Sequence, residues 1–258
     1  MTKHIDLIDK NFLLHATRVP GETDGMKVVH RKSLSYVDSG LSCDTFNIIH
    51  IHKGTGDHHS DIKEALEYFG DRQLDYCLWI NEQNLISRIK ASFKDFSLRE
   101  QNMEVGMSLD LGAYQPITSE RHEKIIAVSN QEQLEDYASV IAANWSPPDK
   151  NVNLYYERAV NHYLDSSNGI ILLTYYEDGI PKSTVEMFPT DEATIGLYGL
   201  ATLEDARGQG IGSAMMTKAL NIAKDLKYET AVLQATEDGL GIYKKFGFVP
   251  YTKYYEFS

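Results

Sequence analysis

One stretch constrains the fold more than any other: residues 200–213, LATLEDARGQGIGS. An apolar run ends near Thr202 and the chain turns. Arg207-Gly208-Gln209-Gly210-Ile211-Gly212 then opens a helical period of Ile211, Met215, Ala219, Ile222 and Leu226. Alternating glycines remove Cβ atoms, so successive backbone N–H groups can converge on one anion. The helix start adds unpaired donors and a positive dipole end, which suits a diphosphate. Two other phosphate loops do not fit. No Gly-Lys-Ser/Thr follows, and Gly208-x-Gly210-x-Gly212 lacks the spacing of a dinucleotide-binding turn. A strand, an anion-binding loop and a helix must occur here in that order.

Around this loop the second half reads as a mixed sheet. A strand is expected at 124–128, then a helix at 131–144 capped by Ser129 or Asn130, with Leu134, Tyr137, Val140 and Ile141 on one face. Ser146-Pro147-Pro148 stops it, and a second helix at 152–164 carries Leu154, Tyr155, Ala159, Val160 and Tyr163. A strand at 169–176 turns through Glu177-Asp178-Gly179 into a strand at 181–189. A turn at 190–192 leads to the strand ending at Thr202. After the glycine loop and its helix come a strand at 230–235, a short helix at 239–246 and a strand at 248–257.

The first half reads as strands at 46–52 and 76–80 with helices at 61–69 and 84–93. Its Gly54 and Gly56 are not expected to form a phosphate loop leading into a helix. The polar stretch YQPITSERHE at 114–123 divides the chain into 1–120 and 121–258. A length of 258 residues suits two such domains.

Charge narrows the partners. Lys plus Arg is 25 against 37 Asp plus Glu, a net of -12, and no basic run compensates. Such a chain repels phosphate backbones, so no nucleic-acid partner is expected and an amine is favoured. No apolar run approaches the ~20 residues of a membrane span. His4, Asp6, Asp9 and Lys10 interrupt the N-terminus, unlike a signal peptide's apolar core, so a cytoplasmic protein with no membrane partner is expected. Cys43 and Cys77 read as buried thiols in a reducing compartment. His50, His52, His58 and His59 in HIHKGTGDHH invite a metal site, but a polar edge strand and solvated loop explain them as well, and no metal is assigned.

The Arg-x-x-Gly-x-Gly loop is followed by a second block, LQATEDGLGIYKKFGFV at 233–249. Together they resemble the GNAT N-acetyltransferase superfamily. The resemblance implies an α/β (α+β) fold: a mixed, mostly antiparallel sheet flanked by helices. It also allows the N-terminal half to be a second α/β domain, a degenerate copy without a CoA loop. It implies acetyl-CoA as cosubstrate and an amine-bearing acceptor.

Arg207, Gly208, Gln209, Gly210, Ile211, Gly212 and Ser213 fall on the diphosphate loop. Leu200, Ala201 and Thr202 fall on the strand that faces the pantetheine and thioester. Tyr243 takes the position of the general acid that protonates the leaving thiolate. Two departures stand out: Thr236 where many members have Asn, and Glu204 for a common Pro. Glu186 is the candidate base for the amine, with Glu192 and a water chain as alternatives. Trp145, Tyr155 and Tyr156 are candidates for an acceptor pocket. The same loop would serve a noncatalytic acetyl-CoA-binding sensor or an interaction protein. The presence of Tyr243 favours the enzyme.

Overall fold

The computed structural model describes residues 2–52 and 57–258. Gly54 and Gly56 lie outside them. In chain order the elements begin α1 (Thr2–Glu22), β1 (Lys27–His30), β2 (Leu34–Asp38), β3 (Ile48–Ile51), α2 (His58–Arg72), β4 (Cys77–Asn81), α3 (Ser87–Asp95) and β5 (Glu100–Asp110). They continue with β6 (Ile125–Ala127), α4 (Gln131–Ala142), α5 (Lys150–Arg158), α6 (Val160–Tyr163), β7 (Ile171–Glu177), β8 (Ile180–Pro189) and β9 (Thr194–Thr202). The last are α7 (Ile211–Asp225), β10 (Thr230–Ala235), α8 (Leu240–Lys245) and β11 (Val249–Phe257). The architecture is a mixed, mostly antiparallel sheet flanked by helices.

Two compact units divide the chain. One comprises Met1–Met107, Gln234–Leu240 and Pro250–Ser258, the other Ser108–Leu233 and Gly241–Val249. The sequence reading placed a single division at 120/121, whereas the observed units interleave.

In the first unit the strand order is β1-β2-β3-β4-β11-β5. Its core gathers Leu34, Ile49, Ile51, Ile62, Phe69, Leu78, Ile80 and Phe93. Strands β3 and β4 run parallel, paired along the whole of β3 from Ile48↔Cys77 to Ile51↔Ile80. Because β3 lies between β2 and β4, it is not the polar edge strand that its histidines suggested. His50 and His58 are buried. His50 Nε2 meets Asp9 Oδ1 at 3.2 Å, and Asn81 and Tyr254 donate to that same oxygen. Among the described residues, no group of three His, Cys, Asp or Glu could hold a metal ion. Cys43 is buried but Cys77 only partly so, and both are free thiols.

The second unit has the order β10-β9-β8-β7-β6. Helix α4 begins where Asn130 accepts the Gln133 N–H, while the Gln133 side chain accepts the Ser129 N–H: a reciprocal cap. The β7–β8 hairpin turns through Asp178 and Gly179, both at positive φ (50° and 79°), as a two-residue hairpin loop requires. The single helix expected at 152–164 is interrupted at Ala159 into α5 and α6. On α7 the buried face is Ile211, Ala214, Met215, Ala219, Leu220 and Ala223, while Leu226, expected inside, is 53% exposed. By period Leu226 still falls in line with Met215 and Ala219, but α7 ends at Asp225 and Leu226 is its C-cap, beyond the last helical turn.

Candidate active site

Strands β8 and β9 carry the first element of the site. Their register is Thr184↔Ala201 and then Glu186↔Tyr198, so one residue of β8 opposes two of β9. This is a β-bulge at Gly199–Leu200, and Gly199 takes φ 56°. A Cβ at Gly199 would stand 2.8 Å from Tyr137 Oη, so glycine is required twice over. Side chains of β8 take the bulged strand's carbonyls: Thr184 Oγ1 donates to Gly199 O, and Ser183 Oγ to Ala201 O.

The other side of β9 opens. Strand β10 pairs with it in parallel at Thr230↔Thr194, Ala231↔Ile195 and Val232↔Gly196. Beyond Gly196 the described residues continue the ladder only with β8, so Leu200, Ala201 and Thr202 lie on the splayed half.

Helix α7 starts next to that opening. Gly210 is its N-cap at φ 80° and offers no side-chain cap. The first intrahelical bond runs from Ala214 N–H to Gly210 O, so the N–H groups of Ile211, Gly212 and Ser213 have no intrahelical acceptor. A Cβ on Gly208 (φ 74°) or Gly210 would meet nothing within 4 Å. Open space therefore fronts a row of backbone donors, a cradle that fits a diphosphate. Arg207 is exposed and its Nε donates to Thr202 O at 2.9 Å, tying the loop to the end of β9.

Gly212 connects three elements. Its Cβ position lies 3.8 Å from Thr202 Oγ1 and 3.6 Å from Ile242 Cδ1, so β9, α7 and α8 converge there. Tyr243 is the next residue on α8, partly buried, with its ring edge-on to Phe248 at 6.0 Å. Thr236 instead accepts the N–H groups of Gly239 and Leu240 at the start of α8, and its contacts assign it to the first unit.

Glu186 is 3% exposed and sits among Tyr137, Tyr155, Tyr156 and Tyr163. Those rings pack edge-on or tilted, with centroids 5.4 Å apart for Tyr137–Tyr156, 5.6 Å for Tyr155–Tyr156 and 5.0 Å for Tyr156–Tyr163. Burial pushes all four phenols well up, and the Glu186 carboxylate adds to each. They stay neutral at physiological pH, able to relay hydrogen bonds but not to act as bases. Glu192 stands exposed before the start of β9, roughly 30 Å of extended strand from Thr202. Trp145 is 40% exposed between α4 and α5. The structure thus brings Glu186 to the bulge, opposite Tyr198, and leaves Glu192 at the far end of β9. Tyr137 was not singled out as a site residue. The signal that could have found it is a glycine inside an apolar strand, which marks a close approach.

Residues 134–248 match the model of the Acetyltransferase (GNAT) family. This segment is a GNAT domain. Its span includes the bulge, the glycine loop and Tyr243, and it begins in α4. A GCN5-related N-acetyltransferase from Kribbella flavida is similar at 13% identity, with TM-score 0.68 over 97% of this chain and 93% of that one. A GCN5-related N-acetyltransferase from Sphaerobacter thermophilus gives 16% identity and TM-score 0.59 over 88% and 80%. A tandem GNAT protein from the clavulanic acid biosynthesis pathway gives 10% and 0.58 over 98% and 94%. At these identities the likeness is one of fold, and it extends over at least 88% of this chain.

Proposed function

We propose that the GNAT domain transfers an acetyl group from acetyl-CoA to a primary amine of a small molecule or peptide, by direct attack of the neutral amine on the thioester. The observation that carries this reading is the uncapped start of α7 beside the splayed half of β9. Acetyl-CoA supplies the activated acyl group, and the chain's own residues supply the rest. Backbone N–H groups at 208–213 hold the diphosphate, with Arg207 bracing the loop. Leu200 and Thr202 offer N–H groups to the pantetheine and the thioester carbonyl, where negative charge gathers as the amine adds. Glu186 takes the amine proton through the neutral tyrosines around it. Tyr243 gives its proton to the sulfur as the C–S bond breaks.

We further infer that the first unit is a degenerate copy that holds no CoA. Its β3–α2–β4 repeats the parallel strand–helix–strand order of β9–α7–β10. There β3 and β4 are paired to the end of β3, without a splay. Asp57 caps α2 and accepts the Ser60 N–H, so a carboxylate stands where an anion would need open donors. The test is an amine panel assayed with purified protein and acetyl-CoA, read as free CoA thiol. Amine-dependent thiol release that Gly210→Val abolishes is expected. Acetyl-CoA binding without release across the panel would favour a sensor.

A further inference from the structure

A groove of about 560 Å³ opens along the seam of α4 and α5, within the roughly 300–1,000 Å³ of small-molecule sites. Its floor is apolar: Leu134, Ala138 and Tyr156, all buried. Its rim is acidic, with exposed Glu135 on α4 and Glu157 on α5. Gln131 Nε2 donates to Glu135 Oε1 at 2.9 Å and holds that carboxylate at the edge. Asn153 adds an exposed amide. Among the described residues, no lysine, arginine or histidine lines the groove.

A floor without charge and a rim with two carboxylates select a ligand of matching polarity. The apolar body of the ligand lies against Leu134, Ala138 and Tyr156. An ammonium group then reaches the carboxylates, where charge-assisted hydrogen bonds hold it. The chain's net charge of -12 draws cations toward it.

The groove is not the thioester site. Tyr156 packs on Tyr137 with ring centroids 5.4 Å apart. The Tyr137 hydroxyl in turn faces Gly199, 2.8 Å from the position a Cβ would take there. Two buried rings in series stand between the groove and the bulge.

We propose that the α4–α5 groove is a second site, a binding site for a small organic cation with an apolar body. The test is calorimetric titration of the full chain, without acetyl-CoA, using phenethylamine as the probe. The controls are 2-phenylethanol, which lacks the charge, and phenylacetate, which reverses it. Phenethylamine binds and both controls bind at least about tenfold more weakly. The exposed pair Glu135→Gln/Glu157→Gln lowers phenethylamine affinity about tenfold or more and leaves acetyl-CoA affinity unchanged. Asn153→Trp, also at an exposed position, fills the groove from its rim and blocks the amine. Gly210→Val leaves amine binding intact, so failure of this site and failure of the acetyl-transfer reading are distinguishable. Wild-type affinity in the double Gln variant would overturn the proposal, since the cation would then sit elsewhere. Equal binding of the three probes, or no phenethylamine binding at about 10 mM, would overturn it too.

Discussion

Tyr243 keeps its ring against Phe248 whether or not it carries a hydroxyl. Tyr243→Phe therefore separates chemistry from packing. In the proposed mechanism the phenol acts only as charge gathers on sulfur, and an interaction made only in the transition state lowers the barrier without tightening the ground state. Acetyl transfer in single turnover slows about 10²-fold, the lower end for general-acid assistance, because a thiolate already leaves well. Acetyl-CoA affinity stays within about twofold of wild type. An equal loss of rate and affinity would mean that the hydroxyl binds rather than catalyses. A second residue sets a pH dependence of stability. Burial and the neighbouring Glu256 carboxylate push Glu104 up to about 8. The folded chain thus keeps a proton that the unfolded chain releases near its ordinary value of 4.5. Stability is full below that value and falls as pH rises toward 8, where the folded state must give up the proton too. Glu104→Gln removes this loss. Its melting temperature exceeds wild type at pH 8 to about 9, and the difference shrinks as the pH is lowered. A constant offset across the range would contradict the assignment.

At the scale of elements, the bulge of β9 carries the sharpest constraint. An alanine at 199 must adopt φ 56° and place its Cβ against Tyr137 Oη. Gly199→Ala costs about 1–3 kcal/mol in urea unfolding, from the left-handed backbone and the close contact together. Adding Tyr137→Phe removes the oxygen and recovers part of that cost. Strictly additive losses in the double variant would show that the contact does not limit this position. Elements written by local chemistry were legible in the sequence. The Asp178-Gly179 turn, the Asn130 cap and the glycine loop before α7 each follow from a few adjacent residues. Helix α1 was legible too, since Ile5, Ile8, Phe12, Ala16 and Val19 are buried at helical spacing, yet reading the N-terminus only for a signal segment passed over it. The break at Ala159 and the bulge at Gly199 depend on which strand or helix lies opposite. No window of sequence states that. For the same reason Glu186 could be named from its strand, but its tyrosine surroundings could not, because three helical segments bring those rings together.

At the scale of the molecule, the two units use one strand–helix–strand plan unequally. In the second unit the parallel pair opens after three residues and glycine begins the helix. In the first the pair closes along β3 and an aspartate begins the helix. No Arg-x-x-Gly-x-Gly occurs before residue 121, and that much was readable directly. The closed pair was not, since it is a matter of register. Among the described residues, no helix is long and apolar enough to cross a membrane. We propose that one loop, at 207–213, holds acetyl-CoA for transfer. Calorimetric titration of the full chain with acetyl-CoA tests it most directly, with Gly210→Val alongside and thermal melting to confirm that the variant is folded. The wild-type chain binds one equivalent, and folded Gly210→Val shows no detectable binding. Two equivalents per chain, or unchanged affinity in the variant, would contradict it.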